Sequence, residues 1–231
     1  MQKITKTKYY KTEREFYENL KRELGKKLLF YCPTGSIARK EIIPGWSDID
    51  VVIVFNEWNK DVFSSIDKSL AKNKSGIKIG ITFYSLAEFN SYKFQDPKTF
   101  NIIYNIKTGR YSPTVHDPSV KLNNCRADTF EIIKMVEFNK TLHNYKRELL
   151  LYPKFNERVA YKELILMVRI LLMKKNVITD GYKEVLEASS KLLKDLPFPR
   201  ITPQEIMKHP ESAGDRYIGY INFLSWLEKN A

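Results

Sequence analysis

Cysteine, histidine and long apolar runs are scarce in this chain, and each scarcity excludes a class of protein. Two cysteines, Cys32 and Cys125, are too few for a disulfide framework and lack the spacing of a zinc site. Three widely separated histidines match no metal-ligand spacing. No run approaches the roughly 20 apolar residues that span a membrane, and the first residues lack the apolar stretch of a signal peptide. We therefore expect a cytoplasmic protein with no membrane partner.

Bases outnumber acids in this chain. Its 231 residues include 39 lysines and arginines against 27 aspartates and glutamates, which gives a formal net charge of +12. Positive potential attracts phosphorylated or polyanionic partners, although the lysines are spread along the whole chain. The densest group surrounds Tyr9 and Tyr10, where rings between cations are able to stack on nucleic-acid bases; a solvated, fraying N-terminus is the simpler interpretation. Nucleic acid is therefore an open but not a favoured partner.

The apolar periodicity changes near residue 118. Before it, strand-like runs at 28–32, 51–55 and 77–84 and an edge strand at 111–115 alternate with helical segments at 13–25 and 59–72. After it, helical periodicity alone continues, in segments 127–149, 159–174, 182–196 and 213–229. The pattern predicts an α+β fold with two domains: residues 1–118 with a mixed sheet and flanking helices, and residues 119–231 as an α-helical bundle.

Two acids open the second predicted strand. A strand directs alternate side chains to opposite faces, so Asp48 and Asp50 project from the same face while Ile49 turns away. Two neighbouring carboxylates repel one another unless a cation compensates them. Mg²⁺ prefers one or two carboxylates together with water and phosphate oxygens, and a nucleoside triphosphate supplies those oxygens. The pair therefore predicts a site for Mg²⁺ and a nucleoside triphosphate.

The segment before the acids has the composition of a phosphate-binding loop. A turn is expected at 33–35 and a short helix at 36–41. Gly35 allows the backbone to approach an anion, Ser36 adds a hydroxyl donor, and Arg39 adds positive charge one turn later. Together with Ser47, which directly precedes the acids, these three residues are our candidates for binding the triphosphate.

Gly35-Ser36, an eleven-residue spacer and Asp48-x-Asp50 resemble the GS-x(n)-DxD signature of the DNA polymerase β-like nucleotidyltransferase superfamily. The run GSIARKEIIPGWSDIDVVIVF is most similar to a small bacterial branch that includes aminoglycoside nucleotidyltransferases and minimal nucleotidyltransferases. The resemblance covers residues 28–85. It implies a nucleotidyltransferase domain that moves a nucleoside monophosphate to a hydroxyl of an aminoglycoside-like small molecule, a protein or an RNA. Asp48 and Asp50 would be its catalytic, metal-binding residues; the alternative is a pair of solvated acids at a strand end.

Superfamily members usually carry a third carboxylate on a later strand, and this chain departs from that pattern. The polar face of the run 77–84 holds no acid, and Gly80 stands where one is expected. A base from the helical half is one explanation, with the candidates Glu131, Glu137 and Glu163. A catalytically impaired nucleotide-binding regulatory or antitoxin-like protein is the second explanation. The basic surface raises a separate alternative, an RNA-binding protein that has inherited the fold.

The predicted helix at 159–174 contains two apolar runs, 164–168 and 170–173, and carries Lys162 and Arg169 seven residues apart on one stripe. A cation on a buried helix needs a partner. Both residues are therefore candidate cleft cations for a triphosphate or an acidic acceptor. An intramolecular salt bridge, or a side chain that reaches solvent at the bundle edge, is the alternative.

Overall fold

The computed structural model describes residues 5–91, 97–123, 127–197 and 201–230. The helices are α1 (Lys6–Leu24), α2 (Gly35–Ala38), α3 (Lys60–Ala71), α4 (Leu86–Phe89), α5 (Pro97–Lys107), α6 (Ala127–Leu149), α7 (Glu157–Lys174), α8 (Tyr182–Leu192), α9 (Pro203–Lys208) and α10 (Ala213–Asn230). The strands are β1 (Leu28–Thr34), β2 (Ile49–Phe55), β3 (Ile79–Ser85) and β4 (Val115–His116). The chain divides into two compact units, Met1–Glu131 and Ile132–Ala231, and the division falls within α6.

The first unit contains a four-stranded mixed sheet in the order β3-β2-β1-β4. Strand β1 is antiparallel to both β2 and β4, whereas β2 and β3 are parallel. In this register Asp50 on β2 lies beside Thr34 on β1 and beside Gly80 on β3. The predicted α+β class, with a mixed sheet, flanking helices and C-terminal helices, is confirmed.

The two faces of β2 bury different sets of side chains. Residues 49, 51, 53 and 55 pack with apolar side chains of α1 and α3. Residues 52 and 54 pack on the opposite face with Ile102 and Ile103 of α5 and with Tyr111. Because side chains alternate along a strand, Asp50 belongs to the face of Val52 and Val54, at the end of the strand where that core stops.

Helix α1 begins earlier than its apolar pattern suggested. The Thr5 hydroxyl accepts a hydrogen bond from the Lys8 N–H, and Gly25 ends the helix with a left-handed φ of 53°. The extra turns carry Tyr9, whose side chain is 1% exposed. The Tyr9 ring is therefore unavailable for stacking on a nucleic-acid base, and that part of the stacking hypothesis is wrong.

Three local predictions in the first unit are corrected. Strand β1 continues through the expected turn to Thr34, and α2 ends at Ala38 rather than residue 41, before Lys40 adopts a left-handed φ of 61°. The apolar stripe Phe63, Ile66 and Leu70 predicts a buried Phe63, but Phe63 is 49% exposed, and Val62 is buried in its place. Phe63 instead stacks on Trp58, with 5.2 Å between the ring centroids.

The edge strand is a further correction, because β4 comprises Val115–His116 instead of residues 111–115. Cys32 is buried on β1, and burial raises the pKa of its thiol to about 12, so it remains protonated near neutral pH. Cys125 lies outside the described residues.

The second unit holds the remainder of α6 and α7 to α10. Helix α7 is buried over most of its length, as its apolar sequence predicted. Helix α8 ends at Leu192 instead of residue 196, and α9 was not predicted. A capping box between Thr202 and Glu205, followed by Pro203 in the first turn, starts α9. This signal is legible in the sequence.

Candidate active site

The carboxylate of Asp50 lies between two glycines. A Cβ atom added at Gly35 would stand 3.0 Å from Oδ2 of Asp50, and one added at Gly80 would stand 2.8 Å from Oδ1. Gly35 also has a left-handed φ of 62°, which a residue with a side chain rarely adopts. The glycine-serine segment and the acidic strand, separated in sequence, are therefore brought together.

The hydroxyl of Tyr111 approaches the same glycine. It accepts hydrogen bonds from the Gly35 N–H at 3.1 Å and from Nη1 of Arg39 at 3.2 Å. Nε of Arg39 donates to Glu41 at 2.9 Å. Tyr111 is 3% exposed. Two groups that we expected to bind phosphate, at Gly35 and Arg39, therefore both donate to a side-chain oxygen of the chain itself.

Sequence reasoning missed Tyr111. It lies 76 residues from Gly35, a separation that no local spacing rule connects. Its position follows the end of α5, where the Arg110 and Tyr111 N–H groups both donate to the Asn105 carbonyl. This pair of bonds turns the chain sharply after the helix. The side chain therefore packs toward the sheet instead of continuing as an edge strand.

The loop before Asp48 is held by Tyr9 of α1. The Tyr9 hydroxyl donates to the Ser47 carbonyl at 2.9 Å and accepts from the Gly45 N–H at 3.2 Å. The Ser47 hydroxyl accepts from the Ile43 N–H at 2.9 Å. Ser47, a candidate triphosphate ligand, therefore also closes the loop. Its neighbour Trp46 is 1% exposed.

Asp48 is half-buried and directly precedes β2, and Asp50 is the second residue of that strand. In extended chain, residues two apart direct their side chains to one face. Ser36 is half-buried in the first turn of α2, next to Gly35. These placements keep all six proposed nucleotide-site residues within one loop-and-strand segment of the first unit.

The donor chemistry fits Mg²⁺. Within the described ranges, no group of three or more His, Cys, Asp or Glu side chains is arranged to hold a metal. Mg²⁺ commonly takes only one or two carboxylates and completes its coordination with water and phosphate oxygens. Asp48 and Asp50 would supply that number of hard oxygen ligands.

The candidate bases have different surroundings. Glu131 is exposed, whereas Glu137 and Glu163 are half-buried in α6 and α7 of the second unit. Burial raises the pKa of Glu163, and the negative charge of Glu137 raises it further; Lys140 and a hydrogen bond from Asn144 act in the opposite direction. A carboxyl with a raised pKa is better suited to accept a proton than an exposed one.

Arg169 has a partner within α7's own unit. Its Nη2 donates to Oδ1 of Asp180 at 3.0 Å and its Nε to the Thr179 carbonyl at 3.2 Å. The Asp180 side chain is 5% exposed, so this is the intramolecular salt bridge considered as the alternative to a cleft cation. Lys162 is half-buried two turns earlier on the same helix.

Comparisons with known proteins agree with this geometry. Residues 13–107 match the family model of the nucleotidyltransferase domain. The structure is similar to that of the spectinomycin adenyltransferase AAD(9) from Enterococcus faecialis with ATP and spectinomycin, with a TM-score of 0.58 and 12% sequence identity over 95% of this chain and 99% of that one. A search of curated proteins gave no match. In the parts of the chain that the structure describes, no helix combines the length and apolar character needed to cross a membrane.

Proposed function

We propose that this chain, which carries a nucleotidyltransferase domain of the polymerase β-like type in residues 13–107, moves a nucleoside monophosphate from a nucleoside triphosphate to a hydroxyl of a small molecule. The superfamily resemblance of its two motifs is confirmed by the domain match and by the shared fold. The observation that carries the proposal is the approach of Gly35 to the Asp50 carboxylate, because nucleotide and metal ligands must meet there.

The reaction joins an acceptor oxygen to the α-phosphorus. The acceptor hydroxyl attacks that phosphorus, the bond to the β-phosphate oxygen breaks, pyrophosphate leaves, and the hydroxyl proton passes to a base. Mg²⁺, when bound, would neutralise charge on the phosphate oxygens. Asp48 and Asp50 would hold the metal.

The triphosphate is held by the preceding segment. The Gly35 backbone allows close approach, the Ser36 and Ser47 hydroxyls donate hydrogen bonds, and Arg39 contributes a guanidinium. Tyr111 orients two of these groups, the Gly35 N–H and Arg39, through its hydroxyl. These donors stabilise the charge that moves to the leaving pyrophosphate.

The acceptor is proposed from the structural neighbour. That protein is an adenyltransferase described with ATP and spectinomycin, and its likeness extends over 95% of this chain. This supports ATP as the donor and an aminoglycoside-like molecule with free hydroxyls as the acceptor. A protein or an RNA end is an alternative acceptor, and a cytoplasmic location remains part of the proposal.

The test is a transfer assay with α-labelled ATP, Mg²⁺ and a panel of spectinomycin, other aminoglycosides, RNA and protein acceptors. We expect pyrophosphate release and a labelled small molecule, both lost in Asp50→Asn. Undiminished transfer by Asp50→Asn would contradict the metal role. Label on RNA or protein alone would reassign the acceptor.

A second candidate function is a nucleotide-binding regulator without catalysis. It is favoured by one observation, the glycine at position 80 beside Asp50 where superfamily members usually carry an acid. Tight ATP binding by calorimetry, with no pyrophosphate released for any acceptor in the panel, would support this candidate over the enzyme.

A further inference from the structure

We infer that Gly80 is a positioning residue for Asp50: the missing side chain leaves the volume that the Asp50 carboxylate occupies. The inference rests on the proposed function, because it concerns how that site holds its metal ligand. It replaces the view of Gly80 as the trace of a lost catalytic acid. The metal site would then be built for two carboxylates, and the proton acceptor would lie outside β3.

The first observation is the short distance between position 80 and the Asp50 carboxylate. Parallel pairing places Gly80 directly beside Asp50, so any side chain at position 80 would project from the same face as the carboxylate. A Cβ there would stand 2.8 Å from Oδ1 of Asp50, closer than Cβ atoms pack in real proteins. The carboxylate could avoid that atom only by rotating away from its present position.

The second observation is the backbone conformation of Gly80. Gly35, on the other side of the carboxylate, has a left-handed φ and needs glycine for that reason as well as for space. Gly80 has no such φ, so its strand conformation is open to any residue. Glycine within a strand costs stability and commonly marks the close approach of another group. At position 80 that group is the Asp50 carboxylate.

A third acid at position 80 would therefore conflict with the second. Besides the overlap, it would place a like charge against Asp50, and like charges disfavour each other's ionised form when no cation is bound between them. The rest of β3, which reads IGITFYS, contains no acidic residue. The strand that usually completes the site in the superfamily thus contributes space rather than a ligand.

A double-mutant cycle tests the contact without using catalysis. Melting temperatures are measured for the wild type, Gly80→Ala, Asp50→Ala and the double variant. We expect Gly80→Ala to lower the melting temperature by a few °C when Asp50 is present, and to raise it in the Asp50→Ala background, where alanine is the better strand residue. Gly219→Ala, whose Cβ would meet no atom within 4 Å, is the control and should act alike in both backgrounds.

Metal binding is the second measurement. Electron paramagnetic resonance of Mn²⁺ with a non-hydrolysable ATP analogue should show about tenfold weaker binding in Gly80→Ala and unchanged binding in Gly219→Ala; tenfold corresponds to one misplaced ligand. Gly80→Asp should give no gain in turnover over the wild type.

Each outcome decides between the two views. Equal effects of Gly80→Ala in both backgrounds, Mn²⁺ binding as in the wild type, or a gain in turnover by Gly80→Asp would overturn the inference. If Gly80→Ala alone does not fold but the double variant does, the contact is supported. Absence of Mn²⁺ and nucleotide binding in the wild type would overturn the proposed function, whereas a normal wild type with an unaffected Gly80→Ala overturns only this inference.

Discussion

Asp50 in the first unit and Glu157 in the second are both carboxylates within folded structure, and their surroundings differ. Glu157 is 6% exposed and receives Nε of Arg216 at 2.6 Å and the Tyr220 hydroxyl at 3.0 Å. Asp50 is flanked by two glycines whose missing side chains leave the carboxylate room. Glu157 is thus bound by charged and polar side-chain donors, whereas the space beside Asp50 is bordered on two sides by glycines.

Under the proposed function, this difference separates a charge that stabilises the fold, Glu157, from a charge that binds a ligand, Asp50. A buried ion pair stabilises only when both partners remain, since either one alone carries a large desolvation cost. A carboxylate lined by glycine instead allows small or charged groups to come close. We therefore expect changes at Glu157 and Arg216 to act on stability, and changes at Asp50 to act on binding and turnover.

The largest effect should follow Asp50→Asn. Loss of the metal ligand removes several kcal/mol of transition-state stabilisation, so we expect turnover to fall roughly a thousandfold or more while the melting temperature changes little. Steady-state pyrophosphate release and circular dichroism measure the two properties. Asp67→Asn, an exposed carboxylate in α3, is the matched control. A large loss of stability in Asp50→Asn would place Asp50 in the same class as Glu157.

Arg216→Ala should produce the opposite result. It leaves the Glu157 carboxylate buried without its guanidinium, and removal of one partner of a buried pair typically costs about 3 kcal/mol. Urea denaturation measures the free energy of unfolding. Lys183→Ala removes an exposed partner of Glu187 at 3.8 Å and should cost less than about 0.5 kcal/mol. A similar small cost in both variants would remove the distinction drawn between the two regions.

Tyr111→Phe should have an intermediate effect on both stability and the kinetics of transfer. The Gly35 N–H and Arg39 lose the oxygen on which they converge, so we expect a stability loss of about 1 kcal/mol. We also expect a several-fold change in KM for the nucleotide with a smaller change in kcat, because both donors belong to the triphosphate loop. Tyr220→Phe is the control and should change stability alone. An unchanged KM in Tyr111→Phe would separate Tyr111 from the nucleotide site.

The smallest expected effect is a pH-dependent change in melting temperature when Glu163 is replaced. Its pKa is raised in the folded protein, so its contribution to stability is present below the ordinary value of 4.5 and is lost as pH rises through the folded value. Glu163→Gln, which stays neutral, should therefore melt at a higher temperature than the wild type at pH 7 to 8, and the gain should shrink as the pH falls toward 4.5.

Glu211 provides the control for this pH dependence. Its pKa is lowered by backbone hydrogen bonding and by His209, so Glu211→Gln should show no gain at neutral pH. A gain for Glu163→Gln that is independent of pH would contradict the assigned cause.

Local patterns in the sequence predicted the elements and the motif. The spacing of Gly35-Ser36 and Asp48-x-Asp50 indicated the domain, and period-2 alternation placed Gly80 on the polar face of its strand. The contact between Gly80 and Asp50 required the register of β2 against β3, which alternation within one strand does not determine.

Long-range contacts account for the remaining differences. Nothing in the local sequence connects Tyr111 to Gly35, or identifies Asp180 as the partner of Arg169. Phe63 matched the apolar stripe of α3, but the neighbouring Trp58 gives its ring a partner outside the core. Periodicity identifies which face of an element is apolar, whereas packing decides which of its residues is covered.

The buried indole of Trp46 gives this protein an optical reporter at the site. The chain has three tryptophans, and Trp46 is separated from Asp48 by a single residue. Replacement of Trp58 and Trp226 by phenylalanine would leave one buried fluorophore, within the segment that connects the glycine-serine pair to the acids. Its emission wavelength and its quenching by iodide would then report any change in the exposure of that segment in real time as nucleotide is added.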